Sequence, residues 1–218
     1  MIYRKDYIPY NTPCNRRPRH SMTPTTITIH NTGNPSSTAA GERNWLTNPT
    51  NNRQASYHIV VDEREAIECL PLNESAWHAG DGSGAKSGNK TSIGIEICES
   101  GNYAKTLDNA VKLVASMLKE RGWGVDRLRR HWDWSGKICP RLMYNGGKWT
   151  GWNEFKSRVA AELEAGNVEK AKVYVNDEKI EDGFILEGRV YVPLRAAGEA
   201  LGAKVGWDNK SKTATLTK

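Results

Sequence analysis

The spacing of apolar and polar positions along the chain changes period several times, and each change marks an element. Thr25-Thr-Ile-Thr-Ile-His30 is rich in β-branched residues and predicts a strand, ended by the loop residues Asn31-Thr-Gly-Asn-Pro35. Ser36 or Ser37 is expected to cap a short helix running through Trp45 and Leu46. Ser56–Val61 predicts a second strand, Asp62–Glu65 a turn, and Ala66–Leu70 a strand pairing back as a hairpin. After a glycine-rich polar loop from Gly80 to Asn89, Ser92–Cys98 alternates strictly. Ile93, Ile95 and Ile97 share one face of it, and Gly94, Glu96 and Cys98 the other.

From Thr106 the period becomes helical. Leu107, Ala110, Val111, Val114 and Leu118 form one stripe, with Gly122 as a stop. Trp152, Phe155, Val159 and Leu163 make a second stripe. The polar, glycine-containing stretch after it divides the chain, with a first domain over 1–166, a linker over 167–171 and a small domain over 172–218. The small domain is β-rich, with one helix expected from Pro193 to Gly202. These elements predict an α/β first domain, with a central sheet flanked by helices, followed by a small α+β domain. About 47 residues are marginal for independent stability, so the second domain is expected to lean on a partner or on the first.

Charge adds little. The net charge of +6 resides mostly in residues 1–166, with 22 basic against 17 acidic side chains. That balance suits a polyanion, either nucleic acid or the anionic polymers of a bacterial wall. No Lys/Arg block or reading helix favours nucleic acid, and Arg16, Arg17 and Arg19 read as a solvated face. No apolar run approaches the ~20 residues of a membrane span. The start, MIYRKDYIPYNTPC, lacks the apolar core of a secretory signal, so synthesis in the cytoplasm is expected. Cys14, Cys69 and Cys98 read as reduced, buried, small apolar residues.

Chemistry concentrates at a few positions. His30 closes a strand at a turn, and His131 precedes Cys139 in His131-Trp-Asp-Trp-Ser-Gly-Lys-Ile-Cys139-Pro140, a stretch able to fold back on itself. Two histidines and one thiolate with an open fourth position is a catalytic zinc pattern. Spacing by itself does not select that pattern over ordinary structural histidines. Glu96 is an acid on a strand whose other face is Ile-Ile-Ile. It is either a cleft carboxylate tuned for proton transfer or a solvent-facing residue of an edge strand. Lys137 is two residues from Cys139 and projects the same way in extended chain, roughly 6–7 Å away. A surface lysine is the alternative.

Ile29-His-Asn-Thr32, Leu72–Asp81 around Trp77-His-Ala-Gly80, Ser92–Cys98 and Trp134-Ser-Gly-Lys-Ile-Cys-Pro140 resemble the type-2 N-acetylmuramoyl-L-alanine amidases. These are the phage endolysins and bacterial autolysins that share a fold with peptidoglycan recognition proteins. The resemblance covers roughly residues 20–160. It implies hydrolysis of the amide between N-acetylmuramic acid and L-alanine in bacterial peptidoglycan, with one Zn²⁺ on His30, His131 and Cys139. Catalytic roles are implied for Glu96, Lys137 and Tyr57, and substrate contacts for His78 and Asn31. It also implies action on the cell wall, reached by endolysin-like release or non-classical export. Val173-Tyr-Val-Asn176, Gly188–Arg195, Glu199–Gly202 and Val205–Asp208 resemble the copper amine oxidase N-terminal-like domain, which implies wall attachment or self-association. Copper is not implied, because residues 172–218 contain no His or Cys.

Overall fold

A computed structural model describes residues 1–165, 169–186 and 188–218. They fall into two compact units, Met1–Leu163 and Glu164–Lys218. Among the described residues, no helix is long and apolar enough to cross a membrane.

The first unit is built on six strands: β1 (Ile2–Lys5), β2 (Thr26–Asn31), β3 (Ile59–Val61), β4 (Glu65–Glu68), β5 (Ser92–Ile97) and β6 (Leu128–Arg130). They lie in the order β1-β4-β3-β5-β2-β6. Only β3 and β4 pair antiparallel, through the expected hairpin, and every other neighbour is parallel. β5 is therefore central, which removes the edge-strand reading of Glu96.

Alternation along these strands decides what each face carries. Ile27 and Ile29 of β2, Ile59 and Val61 of β3, and Ile93, Ile95 and Ile97 of β5 all enter one buried cluster. Two helices close that cluster: α3 (Tyr103–Glu120) with Ala110, Val114 and Leu118, and α5 (Thr150–Ala165) with Trp152, Phe155 and Val159. Each fully buried isoleucine contributes roughly 1.5–3 kcal/mol through apolar burial. The register is thereby pinned, since a one-residue slip would turn the isoleucines outward. Gly122 ends α3 at φ +64°, as expected for a residue past a helix C-terminus.

The opposite face is smaller and more polar. There α1 (Ala39–Thr47) covers Val60, Ile67 and Cys98. Its cap is Thr38, whose hydroxyl accepts from Gly41 N at 3.1 Å, not Ser36 or Ser37. Ser37 is instead buried, and its Oγ accepts from Glu99 N at 2.9 Å. Two short helices went unread in the sequence: α2 (Gly88–Thr91), which starts inside the expected Gly80–Asn89 loop, and α4 (Trp132–Ser135), within the stretch expected to fold back.

Of the three amino-terminal arginines read as a solvated face, Arg19 is exposed but Arg16 and Arg17 are buried. Arg16 is fully buried and donates to the carbonyls of Leu46 (2.5 Å), Arg53 (3.1 Å) and Asn51. Arg17 is paired with Glu74 at 2.8 Å and lies over the Tyr10 ring. Arg16 thereby ties the end of α1 to the loop after it, and Arg17 also donates to the Ile8 carbonyl at 2.7 Å. Cys14 is exposed, whereas Cys69 and Cys98 are buried as expected.

The second unit contains a three-stranded sheet in the order β11-β10-β7 and two hairpins, β8–β9 and β12–β13. Its strands are β7 (Glu169–Ala171), β8 (Tyr174–Val175), β9 (Glu178–Lys179), β10 (Gly183–Leu186), β11 (Arg189–Tyr191), β12 (Lys204–Asp208) and β13 (Thr213–Thr217). Helix α6 (Leu194–Ala200) follows Pro193, as read from the sequence. Positions 167 and 168 of the expected linker lie outside the described residues. Its remainder is strand β7, paired with Gly183–Ile185, so 169–171 belong to the small sheet.

Candidate metal centre and cleft

Strand alternation and parallel pairing bring the first two site residues together. His30 and Glu96 sit on the polar face and are direct register partners across β2 and β5. Their side chains approach to 4.0 Å (His30 Nδ1 to Glu96 Oε1). Both lie near the carboxyl ends of parallel strands, where open α/β sheets present ligands. His131 arrives at the corresponding end of β6. The chain then turns through α4 and returns at Cys139, whose carbonyl accepts from Trp132 N at 3.2 Å. Trp134 anchors this excursion to the sheet, its indole N–H donating to Thr28 Oγ1 at 2.8 Å.

The result is a buried trio. One ligand atom from each of His30, His131 and Cys139 lies within 4.8 Å of the others. His30 Nδ1 is 3.1 Å from His131 Nδ1 and 3.7 Å from Cys139 Sγ. Burial drives the His30 pKa well below its ordinary value, with His78 and His131 adding to the effect. Burial also lowers His131 to about 4, so both imidazoles are neutral near pH 7. Burial, reinforced by Glu96, pushes the Cys139 thiol up to about 12. Two neutral imidazoles and one thiol, converging at the wall of a cleft, could hold a metal ion, and their chemistry fits zinc with a fourth position open.

The cleft has a volume of about 740 Å³ and is lined by the trio together with Glu42, Tyr57, Glu96 and Lys137. Glu96 is 15% exposed, and its Oε2 is buried with no hydrogen-bond partner among the described residues. Burial, with Glu42 next and Lys137 opposing, raises its pKa to about 8. Lys137 is exposed within the cleft lining. Tyr57 is buried, and its hydroxyl donates to the Glu42 carbonyl at 2.7 Å. Its proton is thus committed to α1.

Asn31 and His78, for which the resemblance implies substrate contacts, both line the cleft, and each also has a set of internal partners. Asn31 Oδ1 accepts from Leu142 N at 3.0 Å and its Nδ2 donates to Tyr103 at 3.2 Å, which ties the end of β2 to the segment after Cys139. His78 is buried between His30 Nε2 (3.1 Å) and the Ser92 carbonyl (3.0 Å). His58 is likewise internal, with Nδ1 accepting from Gly94 N and Nε2 donating to the Glu74 carbonyl. Two residues of the site went unread in the sequence. Glu42 sits on a helix whose pattern gives no sign of a cleft. Gly94 did carry a signal, since a glycine inside a strand often marks a close approach. A Cβ there would lie 2.7 Å from the His78 ring.

Comparison with known proteins agrees with this geometry. The family described as N-acetylmuramoyl-L-alanine amidase matches residues 20–142, and the copper amine oxidase N-terminal domain matches residues 174–218. The N-acetylmuramoyl-L-alanine amidase CwlA of Bacillus subtilis (strain 168) is 42% identical over 159 residues, covering 70% of this chain and 56% of that protein. XlyB of the same organism is 43% identical over 159 residues, covering 71% and 48%. The chain thus spans about half the length of the curated relatives it matches. Among solved structures, the catalytic domain of XlyA superposes with a TM-score of 0.65 at 40% identity, covering 73% of this chain and 99% of that one. PlyL gives 0.63 at 36% identity, covering 73% and 97%.

Proposed function

The chain belongs to the N-acetylmuramoyl-L-alanine amidase family, and from that membership we propose that it is a zinc-dependent hydrolase of bacterial peptidoglycan. The bond cut is the amide between the lactyl group of N-acetylmuramic acid and L-alanine. The observation that carries this reading is the convergence of His30, His131 and Cys139 beside the unpartnered carboxylate oxygen of Glu96.

Zinc, held by His30 Nδ1, His131 Nδ1 and Cys139 Sγ, would supply Lewis acidity to the amide carbonyl and to a water. Glu96 Oε2 has no competing partner and is free to take a proton from the attacking water and deliver it to the leaving amine. Burial raises its pKa, while a bound dication would favour the carboxylate, the form that accepts a proton. Lys137 brings a positive charge to the same cleft and stabilises the developing oxyanion. Tyr57, with its proton held by Glu42, shapes the wall opposite and offers only an acceptor lone pair inward. Asn31 holds the segment after Cys139 in register with β2.

The second unit, which takes in Glu169–Ala171, is a wall-binding or self-associating module that raises avidity for an insoluble polymer. The enzyme works at the cell wall.

The test is chemical. Purified walls incubated with the zinc-loaded protein should release fragments bearing new L-alanine amino termini, identified by mass spectrometry. Walls left intact in the presence of zinc, or cut at a different bond, would remove the amidase reading.

A further inference from the structure

The His78 ring, which the mechanism leaves unused, is placed against the proposed metal site by a one-way chain of hydrogen bonds. The Ser92 carbonyl can only accept, so His78 Nε2, 3.0 Å away, must carry a proton and donate it. A neutral imidazole has one N–H, so His78 Nδ1 is an acceptor. Its partner is His30 Nε2 at 3.1 Å, which therefore donates. The one proton of His30 is then on Nε2, and its Nδ1 is bare. That bare nitrogen is the atom 3.1 Å from His131 Nδ1 and 3.7 Å from Cys139 Sγ. The opposite tautomer would drive an N–H into the three donors and leave two lone pairs facing each other between His30 and His78.

We infer that His78 is a positioning residue for the metal site: it fixes the proton of His30 on Nε2 so that Nδ1 is always presented as a ligand. Outer-shell acceptors of this kind are what orient metal-binding histidines generally. The surroundings hold His78 to that task. Gly94 leaves the strand backbone open for its ring, and Asn89 Oδ1 accepts from both His78 N (2.7 Å) and Ala79 N (2.8 Å). The next residue serves the second ligand, since the Ala79 backbone hydrogen-bonds the His131 ring. Gly80 leaves room there, because a Cβ on it would lie 3.1 Å from His131 Nε2. The segment Trp77-His78-Ala79-Gly80 is thus a support for both histidines.

The inference rests on the metal reading above, and the experiment separates the two. The full-length wild type, His78→Phe and His78→Asn would be compared. Phe keeps the ring volume without an acceptor, whereas Asn places an acceptor near the position of Nδ1. Zinc affinity is read by competition with a chromophoric chelator, and the His30 tautomer by long-range ¹H–¹⁵N correlation in the metal-free protein. The expected result is an Nε2–H tautomer for His30 in the wild type. His78→Phe should bind zinc about 10–100-fold more weakly, with most of the loss recovered in His78→Asn. Three results would each overturn the inference: an Nδ1–H tautomer in the wild type, wild-type zinc affinity in a folded His78→Phe, or His78→Asn as weak as His78→Phe. If His78→Phe fails to fold, the wild-type tautomer and the His78→Asn affinity decide. A wild type that binds no zinc would defeat the metal reading while the tautomer still decides the role of His78.

Discussion

The two units of the chain are both rich in strands, yet they enclose very different interiors. In the first, two clusters of buried side chains lie on either side of a six-stranded sheet. In the second, Gly183 and Gly198 are the buried residues among those described, while Tyr174, Phe184, Tyr191 and Trp207 stay exposed. α6 approaches its hairpin so closely that a Cβ on Gly198 would meet Leu216 at 2.5 Å, but nothing larger is enclosed. The difference explains where chemistry can reside. Stripping water from His30, Glu96 and Cys139 requires a rigid surround that meets the cost of desolvating each polar group. Among the described residues, only the first unit has such a surround, and its parallel strands deliver side chains to one end of the sheet.

The sharpest way to break this contrast is to remove one donor from the first unit. Cys139→Ala should lose bound zinc and reduce wall hydrolysis to background, checked by metal analysis beside a turnover assay. An active, zinc-free variant would show that the trio is not the metal site. Next in size is Glu96→Gln, expected to keep zinc and lower kcat about 10²–10⁴-fold, the usual contribution of a general acid–base. Unchanged turnover would assign proton transfer elsewhere in the cleft.

A smaller effect tests whether burial tunes the site. Zinc requires a thiolate from Cys139 and, as a dication, favours an ionised Glu96 beside it. With thiol and carboxyl pushed to about 12 and about 8, binding at pH 7 should release about two protons. Apparent affinity should rise about 100-fold per pH unit below 8, and about tenfold per unit above it, where Glu96 has already ionised. His131, lowered to about 4, adds no proton over this range. Calorimetry in buffers of different ionisation enthalpy measures the count, and Glu96→Gln should reduce it to about one. The smallest effect tests the other side of the contrast. Deleting residues 167–218 should leave kcat on soluble wall fragments within about twofold, while weakening sedimentation with whole walls by loss of avidity. Equal wall binding by the shortened chain would remove the targeting role of the second unit.

Much of this arrangement was legible because the isoleucines alternate. Ile93, Ile95 and Ile97 announce a two-faced strand, and once its apolar face is assigned, Glu96 must lie with Gly94 on the other. The helix stripes of Leu107–Leu118 and Trp152–Leu163 follow from the same reasoning. Strand order is not encoded in any local pattern, so the sequence left Glu96 open to an edge position until its pairing with His30 was seen. Arg16 and Arg17 misled for a related reason. A guanidinium is read as solvated by default, and only the folded chain brings three carbonyls, or Glu74 and Tyr10, around it. His78 was visible as part of a motif, but its role depends on the acceptor at Ser92, fourteen residues away.

The buried guanidinium of Arg16 has a practical consequence for transplanting the catalytic unit. It fastens Leu46, Asn51 and Arg53, and the stretch from Asn52 to Ala55 forms part of the cleft wall. The family match begins only at residue 20. A graft cut at that boundary would carry every donor and the whole α3–α5 layer, yet leave the rim beside the donors without its fastening. Portable pieces of this fold should therefore be cut upstream of Arg16, so that the mouth of the cleft travels with its chemistry.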